Sequence, residues 1–395
     1  MPSIAEREAA VFMRTGVRVP INLVRGEGTR VWDEDGKEYL DFLAGIATVS
    51  LGHSSPVVVD ALTQQARTLI HVSNIFYSVP QIDLAELLVE QSGMSQAFFC
   101  NSGAEANEGC IKLARKWARQ QRDEAYEIVV ADGGFHGRTL TTITASGTPK
   151  YAEPFAPLPE GFVHVPYNDI EALREAVTSR TAAVMLEPLQ GEGGVNVPDD
   201  GYLPAVRRLC DERNVALILD EVQTGMGRCG RMFAFQRAGI TPDIMSLAKG
   251  LGGGVPVAAF LTNDRCAAFE PGDHGTTFGG QPLATAVALA VARYMVDEDL
   301  PAQVEAKGAR FMDRLHSLED RHAAVSGVRG QGLLVALELS SDIAADVVAA
   351  CRERGLLANN VRPNAVRFVP PLTVSEAELD QAVEIVEQAL AAVAG

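Results

Sequence analysis

Residues 216–220 read Ala-Leu-Ile-Leu-Asp, four apolar residues that stop on a carboxylate. A run so short and so continuous suits a strand buried on both faces. Six other runs share its character: Ala97–Cys100, Ile128–Ala131, Val163–Pro166, Ala182–Glu187, Ile244–Leu247 and Val257–Leu261. Between them lie segments with a helical spacing of apolar residues, such as Ala104–Arg119 and Leu203–Arg213. Alternation of apolar strands with helices predicts an α/β fold around a mostly parallel, seven-stranded sheet covered by helices. Before this stretch, Arg30-Val31-Trp32 and Glu38–Phe42 flank the turn signal Asp35-Gly36-Lys37, predicting an irregular arm with a small hairpin. After Thr285 the pattern changes. A long helix, a strand at 333–339, a helix near 343–354, a strand at 366–369 and a helix from Ser375 predict a smaller α+β unit. The expected division is 1–50 for the arm and hairpin (part of the smaller unit), 51–290 for the large unit and 291–395 for the C-terminal small unit.

Composition narrows the function classes. With 47% hydrophobic and 22% charged residues, the chain has ordinary globular usage and is not globally disordered. Its formal net charge of −17 repels phosphate backbones, so nucleic acid is not the expected partner. Small anionic substrates would need a local basic trap. The opening MPSIAEREAA lacks the basic start and apolar stretch of a leader peptide. Apolar stretches such as Leu283–Ala292 fall short of the ~18 residues that a membrane span needs. The six cysteines show no CxxC spacing and the seven histidines no HxxxH pair. A reduced, cytoplasmic protein without a metal site is therefore expected.

Two nucleotide motifs mislead. Leu217–Glu221 looks like the acidic strand of a P-loop enzyme, but no G-x-x-x-x-G-K-[ST] run accompanies it. Gly225-x-Gly227-x-x-Gly230 matches a dinucleotide fingerprint, yet Asp220 and Glu221 sit just upstream and would repel a pyrophosphate. A better anion site is Asn101-Ser102-Gly103-Ala104, where a strand runs into a helix. Ser102 can cap, Gly103 permits close approach and the first-turn amides point outward. Lys249 ends a buried run and precedes a glycine-rich loop; desolvation there lowers an amine's pKa and makes it a Schiff-base nucleophile. Asp220 also ends a buried strand and needs a partner, such as a protonated pyridine nitrogen. Cradle, carboxylate and lysine converge where parallel sheets bind ligands.

Ordered blocks make a resemblance specific. They are 99–107 (Phe-Cys-Asn-Ser-Gly-Ala-Glu-Ala-Asn), 135–139 (Phe-His-Gly-Arg-Thr), 187–194 (Glu-Pro-Leu-Gln-Gly-Glu-Gly-Gly), 219–225, 243–250 and 275–280. With them the chain resembles the class-III, pyridoxal-phosphate-dependent aminotransferases of fold type I, and within them the acetylornithine aminotransferases, over nearly its whole length. The resemblance implies that Lys249 holds pyridoxal 5'-phosphate as a Schiff base and shuttles a proton, while Asp220 pairs with the ring nitrogen. It implies that Ser102, Gly103 and Ala104 bind the phosphate, that Phe135 stacks on the ring and that Gln223 lies near the phenolic oxygen. Thr277 would complete the phosphate site of a partner subunit, which implies a homodimer with a shared active site. Arg138 would take the carboxylate far from the reacting amine and Arg367 the α-carboxylate of glutamate. Glu192 would cover Arg367 while an ω-amine donor is bound.

The activity so implied is transfer of the ω-amine of N-acetylornithine to 2-oxoglutarate in arginine biosynthesis. Alternatives on the same scaffold are donors such as 4-aminobutyrate, succinylornithine or an acetyl-lysine-type precursor, and an aminomutase. Ile46 stands where related ornithine aminotransferases carry a tyrosine that selects free ornithine. The stretch Arg14–Pro20 lacks the arm tyrosine of some members, which leaves Arg18 or another residue for that contact. His136, Cys100, Cys110, Trp32 and Trp117 read as packing residues.

Overall fold

The computed structural model describes residues 3–122 and 124–394. The outermost residues of the expected arm and small unit, Met1, Pro2 and Gly395, lie outside that range, as does Asp123. An antiparallel meander comes early: β1 (Leu23–Glu27), β2 (Arg30–Asp33) and β3 (Glu38–Asp41). Its β2–β3 turn is closed by Asp33 Oδ1, which accepts from the amides of Asp35 at 3.1 Å and Lys37 at 2.9 Å.

Seven strands follow: β4 (Gln96–Cys100), β5 (Glu127–Ala131), β6 (Phe162–Val165), β7 (Thr181–Leu186), β8 (Ala216–Asp220), β9 (Ile244–Leu247) and β10 (Ala258–Thr262). They form one sheet in the order β4-β10-β9-β8-β7-β5-β6. Only β10 runs against its neighbours. Each apolar run of the sequence became one strand, for a visible reason. Along β8, Leu217 and Leu219 enter one core while Ala216 and Ile218 enter another on the opposite face. Val184 and Met185 on β7 divide in the same way. A strand that feeds two cores has no polar face, so its residues need not alternate.

The C-terminal part adds β11 (Val325–Gln331), β12 (Leu334–Leu339), β13 (Leu356–Leu357), β14 (Asn359–Arg362) and β15 (Ala365–Phe368). Four of these make an antiparallel sheet in the order β11-β12-β15-β14, while β13 pairs in parallel with β3 and ties the early meander to the C-terminal part. The structure departs from expectation in several places; the long helix expected after Thr285 is two, Pro282–Asp297 and Leu300–His316, and β13 and β14 were not expected. The arm holds a helix, Ile4–Val11, started by a Ser3–Glu6 capping box. β11 carries Gly327 and Gly330 and no continuous apolar run, so hydropathy does not reveal it. The apolar helix Pro282–Asp297 runs through the expected division at 290/291.

The carboxyl ends of β5, β7, β8 and β9 share one edge of the sheet, the edge where such folds hold ligands. The glycine run after β8 starts no helix. It forms turns, with Gly227 beside Leu372 and Gly230 beside Glu305, so it is a packing surface and offers no dinucleotide site.

Glu221, next in the chain after β8, is fully buried. Its Oε1 accepts from the Phe235 amide at 2.8 Å and its Oε2 from the Thr224 hydroxyl at 2.5 Å. Burial pushes its carboxyl from 4.5 up to about 7. Over that window the unfolded chain has released the proton that the folded chain keeps, so this group's contribution to stability falls as pH rises from 4.5 to about 7. Glu221→Gln, which can keep both contacts, is expected to flatten that part of the pH dependence in denaturant melts. An unchanged slope would contradict it.

Candidate active site

Asp220 sits at the end of β8 with 3% exposure, so its charge must be compensated locally. Four donors do this. Asn107 Nδ2 and His136 Nδ1 each lie 2.7 Å from Oδ2, the Val222 amide donates to Oδ1 at 3.0 Å and the Ser246 hydroxyl lies 3.3 Å from Oδ1. Burial opposes charge on His136, but the hydrogen bond and charge of Asp220 outweigh it and raise the imidazole above its ordinary value. Asn107 Nδ2 also donates to the His136 carbonyl at 2.8 Å, locking the pair together.

Lys249 follows β9 with φ +40°, in the left-handed region that a side chain rarely adopts. The turn aims it into a cavity of about 410 Å³ that Asp220, Phe135 and Ser102 also line. Burial pulls its amine below the ordinary value, against the opposing pull of Glu192. The neutral, nucleophilic form is thereby enriched.

At the cavity's other end, Ser102 caps the helix Gly103–Gln121 in a capping box with Glu105. The first-turn amides of Gly103 and Ala104 have no carbonyl one turn back within the helix, and the dipole adds positive potential there. Glycine is required at 103 because a Cβ would lie 2.9 Å from the Val222 side chain.

Two arginines behave differently. Arg138 is exposed and makes no ion pair among the described residues; its guanidinium lies 3.9 Å from the Tyr151 ring centroid and 5.5 Å from that of Phe135. Arg367, on β15, is completely buried. Its Nη1 donates to Glu192 Oε1 at 2.5 Å and to Gln223 Oε1 at 3.0 Å, while Gln223 Nε2 donates to Glu192 Oε1 at 3.0 Å. Burial would raise the Glu192 carboxyl, but Arg367 and then Lys249 overcome it and hold the group below its usual range. Glu192, Arg138, Phe135 and Lys249 also line a second, adjoining cavity of about 610 Å³ with Ile46 and Tyr151.

The fold therefore brings Lys249, Asp220, Ser102, Gly103, Ala104, Phe135, Arg138, Glu192 and Gln223 around one cavity. Arg367 reaches its edge through Glu192 and Gln223. Thr277 is not with them; it lies exposed on the surface beside Phe278. Sequence reasoning took His136 for packing and passed over Asn107, Glu187 and Tyr151. Asn107 had a signal, four residues after Gly103 and so on the same helix face. Glu187 joins the two walls of the cavity. Its Oε2 accepts from the Phe135 amide at 3.0 Å and its Oε1 from the Gly191 amide at 3.2 Å, and burial pushes its carboxyl up to about 7.

A phosphorylated pyridine aldehyde suits this donor set: amides for the anion, an anchored carboxylate for a protonated ring nitrogen and an amine for the aldehyde. Asn107 Oδ1, buried and without a partner among the described residues, is the kind of atom that a bound group satisfies.

Comparison with known proteins agrees. The class-III aminotransferase family profile matches residues 11–390. An acetylornithine aminotransferase of Caldanaerobacter subterraneus subsp. tengcongensis is 49% identical over 97% of this chain and 98% of its own. Another, of Methanocaldococcus jannaschii, is 51% identical over 94% of each chain. The crystal structure of an ornithine aminotransferase from Toxoplasma gondii superposes with a TM-score of 0.95 at 37% identity, covering 99% of this chain and 94% of that one.

The stack of Arg138 on Tyr151 leaves the guanidinium edge free for a carboxylate. Tyr151→Leu is expected to weaken calorimetric binding of a short dicarboxylate such as glutarate about two- to fivefold, the range of a cation–π contact. Tyr151→Phe keeps the ring and should bind as the unmodified protein does. Equal loss in both variants would contradict the stacking role.

Proposed function

The chain belongs to the class-III aminotransferases, a pyridoxal-phosphate-dependent family, and is a transaminase; we propose that it holds that cofactor in the cavity lined by Lys249 and Asp220 and transfers the ω-amine of N-acetylornithine to 2-oxoglutarate. The products are N-acetylglutamate 5-semialdehyde and glutamate. The observation that carries this reading is the asymmetry of the two arginines, one free and one covered by a carboxylate. An ω-amine donor has a carboxylate only at its far end, so it needs Arg138 and would leave an open Arg367 unpaired beside the reacting carbon. 2-Oxoglutarate has a carboxylate at each end, so it needs both arginines. Relatives about 50% identical that bear the name acetylornithine aminotransferase support the same donor.

Pyridoxal phosphate, when bound, supplies an electron sink for the carbon that bears the amine. The chain's residues do the rest. Gly103 and Ala104 amides would hold the phosphate, Asp220 would keep the ring nitrogen protonated, and Phe135 and Val222 line the space left for the ring. Lys249 Nζ would be the base that takes and carries the proton from the substrate carbon. Arg138 fixes the far carboxylate, which sets where the amine arrives. Glu192 covers Arg367 for the ω-amine and leaves it for the keto acid.

The likeness to an ornithine aminotransferase structure raises free ornithine as a donor. Ile46 argues against it, because this apolar side chain lines the second cavity and offers nothing to a charged α-amino group. A homodimer belongs to the same reading. Thr277 and Phe278 lie on the surface, Asn74 Nδ2 donates to the neighbouring Thr276 carbonyl at 3.1 Å, and Ile75 and Tyr77, close to Asn74 in the chain, are 81% and 96% exposed; so much exposed apolar surface favours a partner. A cytoplasmic setting fits six free, buried cysteines.

Formation of glutamate from N-acetylornithine and 2-oxoglutarate tests the proposal. Lys249→Ala is expected to lower kcat by about a thousandfold or more, the scale of lost general acid–base catalysis plus lost covalent attachment. Turnover at the unmodified rate would sink the mechanism. Arg138→Leu should raise KM for N-acetylornithine about ten- to a hundredfold, as expected for hydrogen bonds to a charged group. An unchanged KM would remove Arg138 from the substrate site.

A further inference from the structure

Glu192 stands on a loop whose backbone is gripped from three directions. From below, Glu187 holds the Gly191 amide, and a Cβ at 191 would lie 2.3 Å from Gln223 Oε1. At the side, the backbones of Gln190 and Asn196 pair at 2.9 and 3.1 Å, Asn196 Nδ2 donates to Gln190 Oε1 at 2.7 Å, and Gln190 Nε2 donates to the Asp132 carbonyl at 2.7 Å. From the antiparallel C-terminal sheet, two arginines reach three successive carbonyls. Arg362 on β14 donates from Nε to the Gly193 carbonyl at 2.7 Å. Arg329 on β11 donates from Nη2 and Nε to the Gly194 carbonyl at 2.7 and 3.0 Å, and from Nε to the Val195 carbonyl at 3.0 Å.

The fit leaves no slack. A Cβ at 193 would lie 2.3 Å from the Gly133 carbonyl oxygen, and one at 194 would lie 2.4 Å from Arg362 Nε, where φ is +125°. Arg362 has no carboxylate partner among the described residues, so its hydrogen bond to the loop is its one charge-assisted contact with the fold. Burial, and then the charge of Arg362, pull Arg329 below its ordinary value. Arg329 also pairs with the Glu338 carboxylate, so of the two guanidiniums Arg362 is the one that no carboxylate among the described residues balances.

We propose that Arg362, assisted by Arg329, is a positioning residue for substrate selection: it fixes backbone 193–195 so that Glu192 changes partner by side-chain rotation alone. This rests on the ω-aminotransferase reading given above. With a rigid backbone, the Glu192 carboxylate returns to Arg367 whenever no α-carboxylate is there. With a loose backbone, Arg367 stands uncovered for a larger fraction of time, which favours α-carboxylate ligands over ω-amines in proportion to that population.

The test takes the two half-reactions separately, followed by the absorbance of the bound cofactor, with N-acetylornithine or with glutamate as the amine. In Arg362→Ala the preference for N-acetylornithine over glutamate, as a ratio of kcat/KM values, is expected to fall about fivefold or more. The loss should lie on the N-acetylornithine side, with glutamate unchanged or faster. Arg362→Lys, which keeps a donor for the Gly193 carbonyl, should recover part of the ratio. Amide hydrogen exchange at 193–196 should speed up in the alanine variant, measured without substrate. Equal losses in both half-reactions, or unchanged exchange, would overturn the proposal. An unmodified enzyme that ignored N-acetylornithine would instead overturn the donor assignment, and the ratio could then be taken with whichever ω-amine it accepts.

Discussion

A carboxylate buried at the end of a strand is the constraint on which the site depends. Asp220 has 3% exposure, and an isolated charge there would cost several kcal/mol. Its four donors come from the helix after β4, the loop after β5, the segment after β8, and β9. Satisfying one charge thus fixes the relative placement of four elements. The same elements carry the anion cradle, the aromatic at 135 and, two residues past β9, Lys249. Removing the carboxylate would loosen the registration of the cavity as well as remove one ligand contact.

The second organising feature is the unequal treatment of positive charge. In a chain of net charge −17, Arg138 stacks on Tyr151 and joins no ion pair among the described residues, which keeps its guanidinium edge open. Arg367 is buried completely, where an uncompensated charge would be costly, and Glu192 and Gln223 supply the compensation. On the proposed reading that compensation is removable, because an incoming α-carboxylate would replace the one it displaces. Under that proposal a single cavity would present one anion site or two, as an enzyme needs when its two substrates differ in charge at the reacting end.

Much of this was legible in the sequence. The seven apolar runs became the seven strands because strands that serve two cores carry no polar face to break the pattern. Lys249 and Asp220 were legible because a charged residue at the end of a buried run is rare and demands a partner. Other parts were not. The N-terminal helix was announced by Ser3 and Glu6, a capping signal easily lost in an acidic, polar stretch. β11 escaped because glycines interrupt its hydropathy. His136 looked like a core histidine and is one, yet its Nδ1 contact with Asp220 depends on a neighbour 84 positions away. Tyr151, Arg329 and Arg362 lie in no motif, and their contacts exist only once separate parts of the chain are brought together.

The central claim is that one cavity takes an ω-amine with Arg367 covered and an α-keto diacid with Arg367 open. The most direct measurement is the absorbance of the pyridoxal-phosphate-loaded protein during single half-turnovers. N-acetylornithine alone should remove the yellow band faster than ornithine or 4-aminobutyrate does, and 2-oxoglutarate added afterwards should restore it. A protein that cannot be loaded with pyridoxal phosphate, or whose band no ω-amine removes, would contradict the account.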